Sequence, residues 1–132
     1  MNTTTKSTSK TLTPIYNNLF EVELRSHGSD LTMLTNMVVD YDLKSSEKKV
    51  FITFDAVEES LDILIESLKQ VDNVRILITD IHGSVIMSIK MDVKYIGLEL
   101  KQSYSGDGLL KIGTSFEIYN PMIKVANKED DE

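Results

Sequence analysis

Val74-Arg75-Ile76-Leu77-Ile78-Thr79, Asp80-Ile81-His82-Gly83-Ser84 and Val85-Ile86-Met87-Ser88-Ile89-Lys90 follow one another directly, and their reading decides the fold. The outer runs are short, rich in β-branched residues and separated by turn chemistry, which marks strands rather than helices. Gly83 can take the positive φ that a tight turn needs. The stretch therefore predicts a β-hairpin, and with it an antiparallel sheet.

The same grammar continues on both sides. Downstream, Tyr95-Ile96-Gly97-Leu98-Glu99-Leu100 leads through the turn Ser103-Tyr104-Ser105-Gly106-Asp107-Gly108 to a returning strand over residues 109–119. In that last strand Leu110, Ile112, Thr114, Phe116 and Ile118 share one face, and Lys111, Gly113, Ser115 and Glu117 share the other. Pro121 is expected to stop it. Upstream, Phe20, Val22 and Leu24 alternate with Glu21 and Glu23, which reads as a strand. Residues 31–43 form a β-rich stretch, residues 44–49 a charged loop, and Val50-Phe51-Ile52-Thr53-Phe54 a further strand. One helix interrupts the strands. Val57, Leu61, Leu64, Ile65 and Leu68 recur at helical spacing, with Glu59, Asp62, Glu66 and Lys69 opposite. Asp55 and Glu58 form a variant capping box at its start. The apolar stripe Leu61, Leu64 and Leu68 is expected to face Leu110, Phe116 and Ile118. The order predicts an α+β domain: an antiparallel β-sandwich or barrel-type sheet with one amphipathic helix.

The chain has 132 residues, enough for one domain with a real core. The termini differ from the body. Residues 1–14 read as an arm, either simply mobile or ordered against a neighbouring subunit. Residues 15–123 read as the domain and residues 124–132 as an acidic tail. The formal net charge of −7 disfavours a nucleic-acid reader, because phosphate backbones are repelled. The absence of cysteine excludes disulfides and thiolate metal sites. No apolar run is long enough to span a membrane, and the N-terminus does not read as a signal peptide.

No constellation for catalysis emerges. His27 and His82 both lie in turn sequences and lack the spacing of a metal site. Ser105-Gly106-Asp107-Gly108 has no Lys-Ser or Lys-Thr after it, so it reads as a hairpin loop rather than a phosphate cradle. Glu21 and Glu23 alternate with core residues, and Glu58, Glu59, Asp62 and Glu66 occupy the outer face of a helix. No serine stands in a nucleophile elbow. The expectation is a non-enzymatic protein with no cofactor and no metal.

Three local patterns in this order resemble the tail tube proteins of contractile-tailed bacteriophages. They are Asn18-Leu19-Phe20-Glu21-Val22-Glu23-Leu24, the stretch from Val74 through Asp80-Ile81-His82-Gly83 to Val85, and the closing pair. That pair is Tyr95-Ile96-Gly97-Leu98, then Ser103-Tyr104-Ser105, then the strand ending Thr114-Ser115-Phe116-Glu117-Ile118-Tyr119. The resemblance spans residues 18–121. It implies a virion protein, assembled in the host cytoplasm, that forms hexameric rings stacked into a tube. Its partners would be copies of itself, with sheath and baseplate proteins, and DNA would pass the lumen without specific binding. Lys111, Gly113, Ser115 and Glu117 are then candidates for the channel wall. Family members often carry a long excursion between the early strands, where this chain has only the short polar segment 40–49. That departure also fits a tube initiator, a tube terminator or a baseplate ring. A small binding or adaptor module using an exposed sheet edge is the alternative from another class.

Overall fold

A computed structural model describes residues 12–56, 58–101 and 110–126. The expectations for most of the N-terminal arm, for Val57, for the turn at residues 103–108 and for residues 127–132 fall outside the described residues.

The strands are β1 (Phe20–Ser26), β2 (Ser29–Asp30), β3 (Val38–Lys44), β4 (Lys49–Asp55), β5 (Asn73–Thr79), β6 (Val85–Lys101) and β7 (Lys111–Val125). They form one antiparallel seven-stranded sheet in the order β2-β1-β5-β6-β7-β4-β3. Two helices accompany it, α1 (Thr32–Met37) and α2 (Leu61–Leu68). The expected α+β class with an antiparallel sheet is what forms. The sheet is not closed, and a second helix is present.

The expected hairpin is β5–β6. Its turn is held by the Asp80 N–H donating to the Ser84 carbonyl at 2.9 Å and by Gly83 at φ 84°. The Asp80 carboxylate also accepts the N–H groups of His82 and Ser84, at 2.8 and 2.9 Å. Those backbone bonds, Ser84 foremost, hold its carboxyl below the usual carboxylate range. A depressed acid contributes stability that is present above its unfolded-state pKa and lost as pH falls through its folded value. Acidification below the ordinary carboxylate range is therefore expected to loosen this turn. Amide exchange at His82 and Ser84, measured against the sheet interior, should rise selectively. The same selective loss should appear at neutral pH in Asp80→Ala.

Several expectations need correction. β6 is one 17-residue strand, not the ends of two hairpins. Ile89, Met91 and Val93 stay buried on one face while Asp92 and Lys94 stay exposed, so the charged residues are the polar half of an unbroken alternation. β7 does not stop at Pro121 but runs to Val125. Pro121 is tolerated because the register slips there: Lys90 opposes Met122 and Asp92 opposes Tyr119, leaving Asn120 and Pro121 opposite Met91. Asn120 has the left-handed φ of 51° and donates to Asp92 at 3.2 Å. Within residues 31–43, Leu31, Leu34 and Met37 recur at helical spacing, and the chain takes one and a half turns of helix as α1 before β3 begins. Finally, Asp55 is the end of β4, and a 3₁₀ turn over Glu58–Ser60 separates it from α2, so no capping box forms.

The long strands β6 and β7 make the sheet two-layered. The first part of β6 pairs with β5, and the second pairs only with β7. β7 likewise pairs with β4 over Lys111 to Glu117 and then with β6 alone. Bulges between Lys90 and Asp92 and between Tyr95 and Gly97 sharpen the bend. Phe20 of β1 and Tyr41 of β3, near opposite ends of the strand order, bring their rings to 4.8 Å edge to face. The sheet has therefore folded over onto itself. Between its halves lie Val22, Leu24, Val50, Ile52, Phe54, Ile76, Met91, Ile112 and Phe116, with Leu64 and Leu68 of α2 and Leu34 of α1. α1 also covers the edge of β1, where the Leu24 N–H donates to the Thr35 hydroxyl at 3.1 Å. Ile112, Thr114, Phe116 and Ile118 face inward as expected, but Leu110 does not join them. It precedes β7 and is 41% exposed. Among the described residues no helix is long and apolar enough to cross a membrane.

Candidate functional site

The core fills most of the inner face of the folded sheet, so the outer faces, the strand edges and the open end beside β7 are left as candidate surfaces. The second part of β6 (residues 94–101), the first part of β7, β4 and β3 lie side by side and form a four-stranded segment. Its outward residues follow from the registers. Lys94, Glu117, Lys49 and Lys44 make one row across the strands. Gly97, Ser115, Phe51 and Asp42 make the next, and Glu99, Gly113, Thr53 and Asp40 a third. Lys101, Lys111 and Asp55 stand in register in a fourth. Acids thus occupy the middle of the face, and lysines stand in the rows at both ends. A shallow depression of about 330 Å³ lies over Asp40, Asp42, Phe51, Thr53 and Glu99.

All four candidate wall residues share this face. The Lys111 ammonium pairs with Asp55 of the neighbouring β4, and the two side chains are only 14% and 31% exposed. Glu117 is exposed and lies in register between Lys49 and Lys94. It accepts the Tyr119 hydroxyl, and that bond to the carboxylate is the main cause that raises the Tyr119 pKa. Ser115 is half-buried and Gly113 buried between the flanking strands.

The sheet also leaves backbone groups open. No described strand pairs with the outer edge of β3, the last in the order. On β6 the Val93 N–H still donates to the Asp72 carbonyl at 3.0 Å, and beyond it residues 94–101 have no described neighbour on that side. On β7 the Ile118 N–H donates to the Lys48 carbonyl at 2.8 Å, and beyond it residues 119–125 have no described neighbour on that side. This third edge borders a cavity of about 530 Å³ floored by Ile89, Met91, Ile118 and Ile123 and walled by Leu43 and Ser45. Exposed strand edges of this kind are templates for another chain. The sequence reading missed this edge because Pro121 was taken as a stop. The signal was present in Met122-Ile123-Lys124-Val125, which continues a strand-like run beyond it.

The histidines hold turns. His27, at φ 52°, donates its backbone N–H to Asp72 at 2.9 Å. His82 donates its own N–H to Asp80. Among the described residues, no group of three His, Cys, Asp or Glu side chains could hold a metal ion.

No family model matches the chain, and no curated protein matches its sequence. Solved structures do resemble it. One is the sheath–tube complex of an extracellular contractile injection system, PVC, in its extended state, at TM-score 0.60 and 10% identity over 96% of this chain and 99% of that one. Another is the tube-terminating cap of the anti-feeding prophage, at TM-score 0.61 and 11% identity over 89% and 95%. A third is the SPP1 tail tube, at TM-score 0.55 and 10% identity over 90% and 84%. Identities this low carry the fold alone. The chain has the fold of tail tube proteins and of the tube components of contractile injection systems.

Proposed function

We propose that the protein is a non-enzymatic structural subunit that closes into rings and stacks into a tube, as part of a virion tail or a related injection apparatus. The observation that carries this reading is the four-stranded segment with an open edge on each side and an uncovered polar face. Pairing the β3 edge of one copy with the β6 edge of the next removes both edges and extends one sheet around a central space. The hexamer implied by the family resemblance is the ring we expect. Sheath and baseplate proteins would contact its outside, and DNA would pass its inside without specific binding. Electron micrographs of the concentrated protein test this directly. Rings or tubes are expected, and a protein that stays monomeric at every concentration would overturn the reading.

The short connection between β3 and β4, the 3₁₀ turn Ser45–Glu47 followed by Lys48, supports a second form of the same reading. A ring with so little projecting between these strands fits the end of a tube, as initiator or terminator. Single rings in place of long tubes would favour that role.

In this proposal Lys111, Gly113, Ser115 and Glu117 face the lumen. Glu117 sits in the lysine-rich row, and Glu117→Lys would leave four lysines side by side. The fold should survive, because an exposed change alters stability by only about 0.5 kcal/mol. Passage of DNA should slow, and more so at low salt. Genome-ejection rates on assembled particles check this. Wild-type rates at every salt concentration would remove this face from the lumen.

A further inference from the structure

The ring seam proposed above uses β3 and the second part of β6, and it leaves the third open edge unexplained. On the side away from β6, residues 119–125 of β7 have no described neighbour, and Met122, Ile123 and Val125 are 65%, 65% and 59% exposed. The inner face of this edge is unfinished. Val22, Ile76 and Ile89 form a buried row across β1, β5 and β6, and Ile123 ends that row uncovered. One further strand along β7 would cover it. The Ala126 N–H donates to the Ile86 carbonyl at 2.7 Å, and the hydrogen-bonded pairs alternate from there. Met122 and Lys124 therefore turn their backbone groups toward β6, and Ile123 and Val125 turn theirs toward the open side.

The chain has a segment with the matching chemistry. Leu12, Ile15 and Tyr16 lie before β1, 90%, 61% and 49% exposed. Lys6 and Lys10 precede them, and the first acidic residue of the chain is Glu21. One residue beyond β7, after Ala126, the sequence is Asn127-Lys128-Glu129-Asp130-Asp131-Glu132, within the acidic tail.

We propose that residues 13–16 of one copy add as an antiparallel strand to the open β7 edge of a second copy. This rests on the self-assembling reading above. The antiparallel direction puts Lys6 and Lys10 on the side of the acidic tail, whereas the parallel direction sends them away from it. Pro14 decides the face. It has no N–H to give, so it takes a position whose nitrogen points away from β7. Ile15 then opposes Ile123 and points into the apolar cavity. Tyr16 opposes Met122 on the outer face, at a non-hydrogen-bonded position where side chains come close. The contact is separate from the ring seam, so it can join copies that the seam does not.

The chain contains no cysteine, so introduced thiols report cleanly. Tyr16→Cys and Met122→Cys both alter exposed side chains. The two single variants are mixed in equal amounts as full-length protein, oxidised, and run without reductant. A mixed dimer is expected at several-fold the yield of either variant alone. That yield should fall about two- to fivefold at low salt in a Lys6→Glu/Lys10→Glu background, and less at high salt. Three results overturn the proposal. In the first, a single chain carrying both cysteines links only to itself, which means the arm folds back on its own edge. In the second, no mixed dimer forms although micrographs show rings, so the arm contact fails and the ring stands. In the third, the protein remains monomeric throughout and no mixed dimer forms, and both readings fail.

Discussion

Phe116→Ala is expected to lower the free energy of unfolding by about 3–5 kcal/mol. Phe116 is fully buried at the middle of β7, in register with Val50 on one side and Tyr95 on the other. Its ring meets that of Tyr95 edge to face at 6.3 Å. Truncation removes the largest apolar side chain of the strand and the aromatic contact together, and β-strands on both sides prevent the site from collapsing. Domains of this size are stable by only about 5–15 kcal/mol, so the loss is a large share of the total. Urea unfolding should show a midpoint lowered by roughly 1 M or more, since slopes for small proteins are about 1–3 kcal/mol per M. Leu110→Ala is the internal comparison. Leu110 is 41% exposed and should cost far less. A midpoint unmoved by Phe116→Ala would mean that the two halves of the sheet do not pack through this strand.

Asp55→Ala is the second change with a large expected effect, about 1–3 kcal/mol. Asp55 and Lys111 are paired across β4 and β7, and the lysine side chain is 14% exposed. Removing the carboxylate takes one charged partner from an ammonium group with limited access to water. Asp55→Asn keeps the shape and an acceptor, so it should recover part of the loss. The comparison of Asp55→Ala with Asp55→Asn in urea separates the charge from the packing. If both variants unfold like the wild type, the pair is a surface contact of no consequence. In the proposed ring the same change also removes one negative charge from the wall, so DNA retention in the lumen should rise with it.

These two residues also show where the sequence was legible. Phe116 was readable because strand alternation is local: the neighbours at two-residue spacing declare the buried face by themselves. The outward set Lys111, Gly113, Ser115 and Glu117 followed from the same rule. Asp55 was not readable as the partner of Lys111, because the pair is 56 residues apart and depends on β4 lying beside β7. Locally Asp55 looked like a helix cap, and tertiary pairing overrode that. Leu110 failed for the opposite reason. The alternation pattern includes it, but the strand begins one residue later. α1 was hidden because its apolar residues are few and β-branched residues lie among and after them. Its short helix is held by burial of Leu34 and by the hydroxyl of Thr35 on β1 rather than by propensity. The sequence reading ends one strand at Lys90 and begins the next at Tyr95, but a strand with one wet face carries charges such as Asp92 and Lys94 along its length.

The alternation of strand directions within the four-stranded segment has a geometric consequence. β6 and β4 run one way, β7 and β3 the other, so the two outermost strands are opposed. Rotation about an axis roughly along the strands preserves the direction of each. In the proposed ring the β3 edge of any copy would therefore meet an oppositely running β6 edge on its neighbour, and every junction would be antiparallel like those inside the subunit. An odd strand count would force one parallel joint per subunit, with a different slant of hydrogen bonds at each repeat. With an even count the circumference has no distinguishable joint in its bonding pattern. The number of subunits that complete the circle is then set by how far the sheet curves per subunit, a property of its bulges and side-chain sizes rather than of strand polarity.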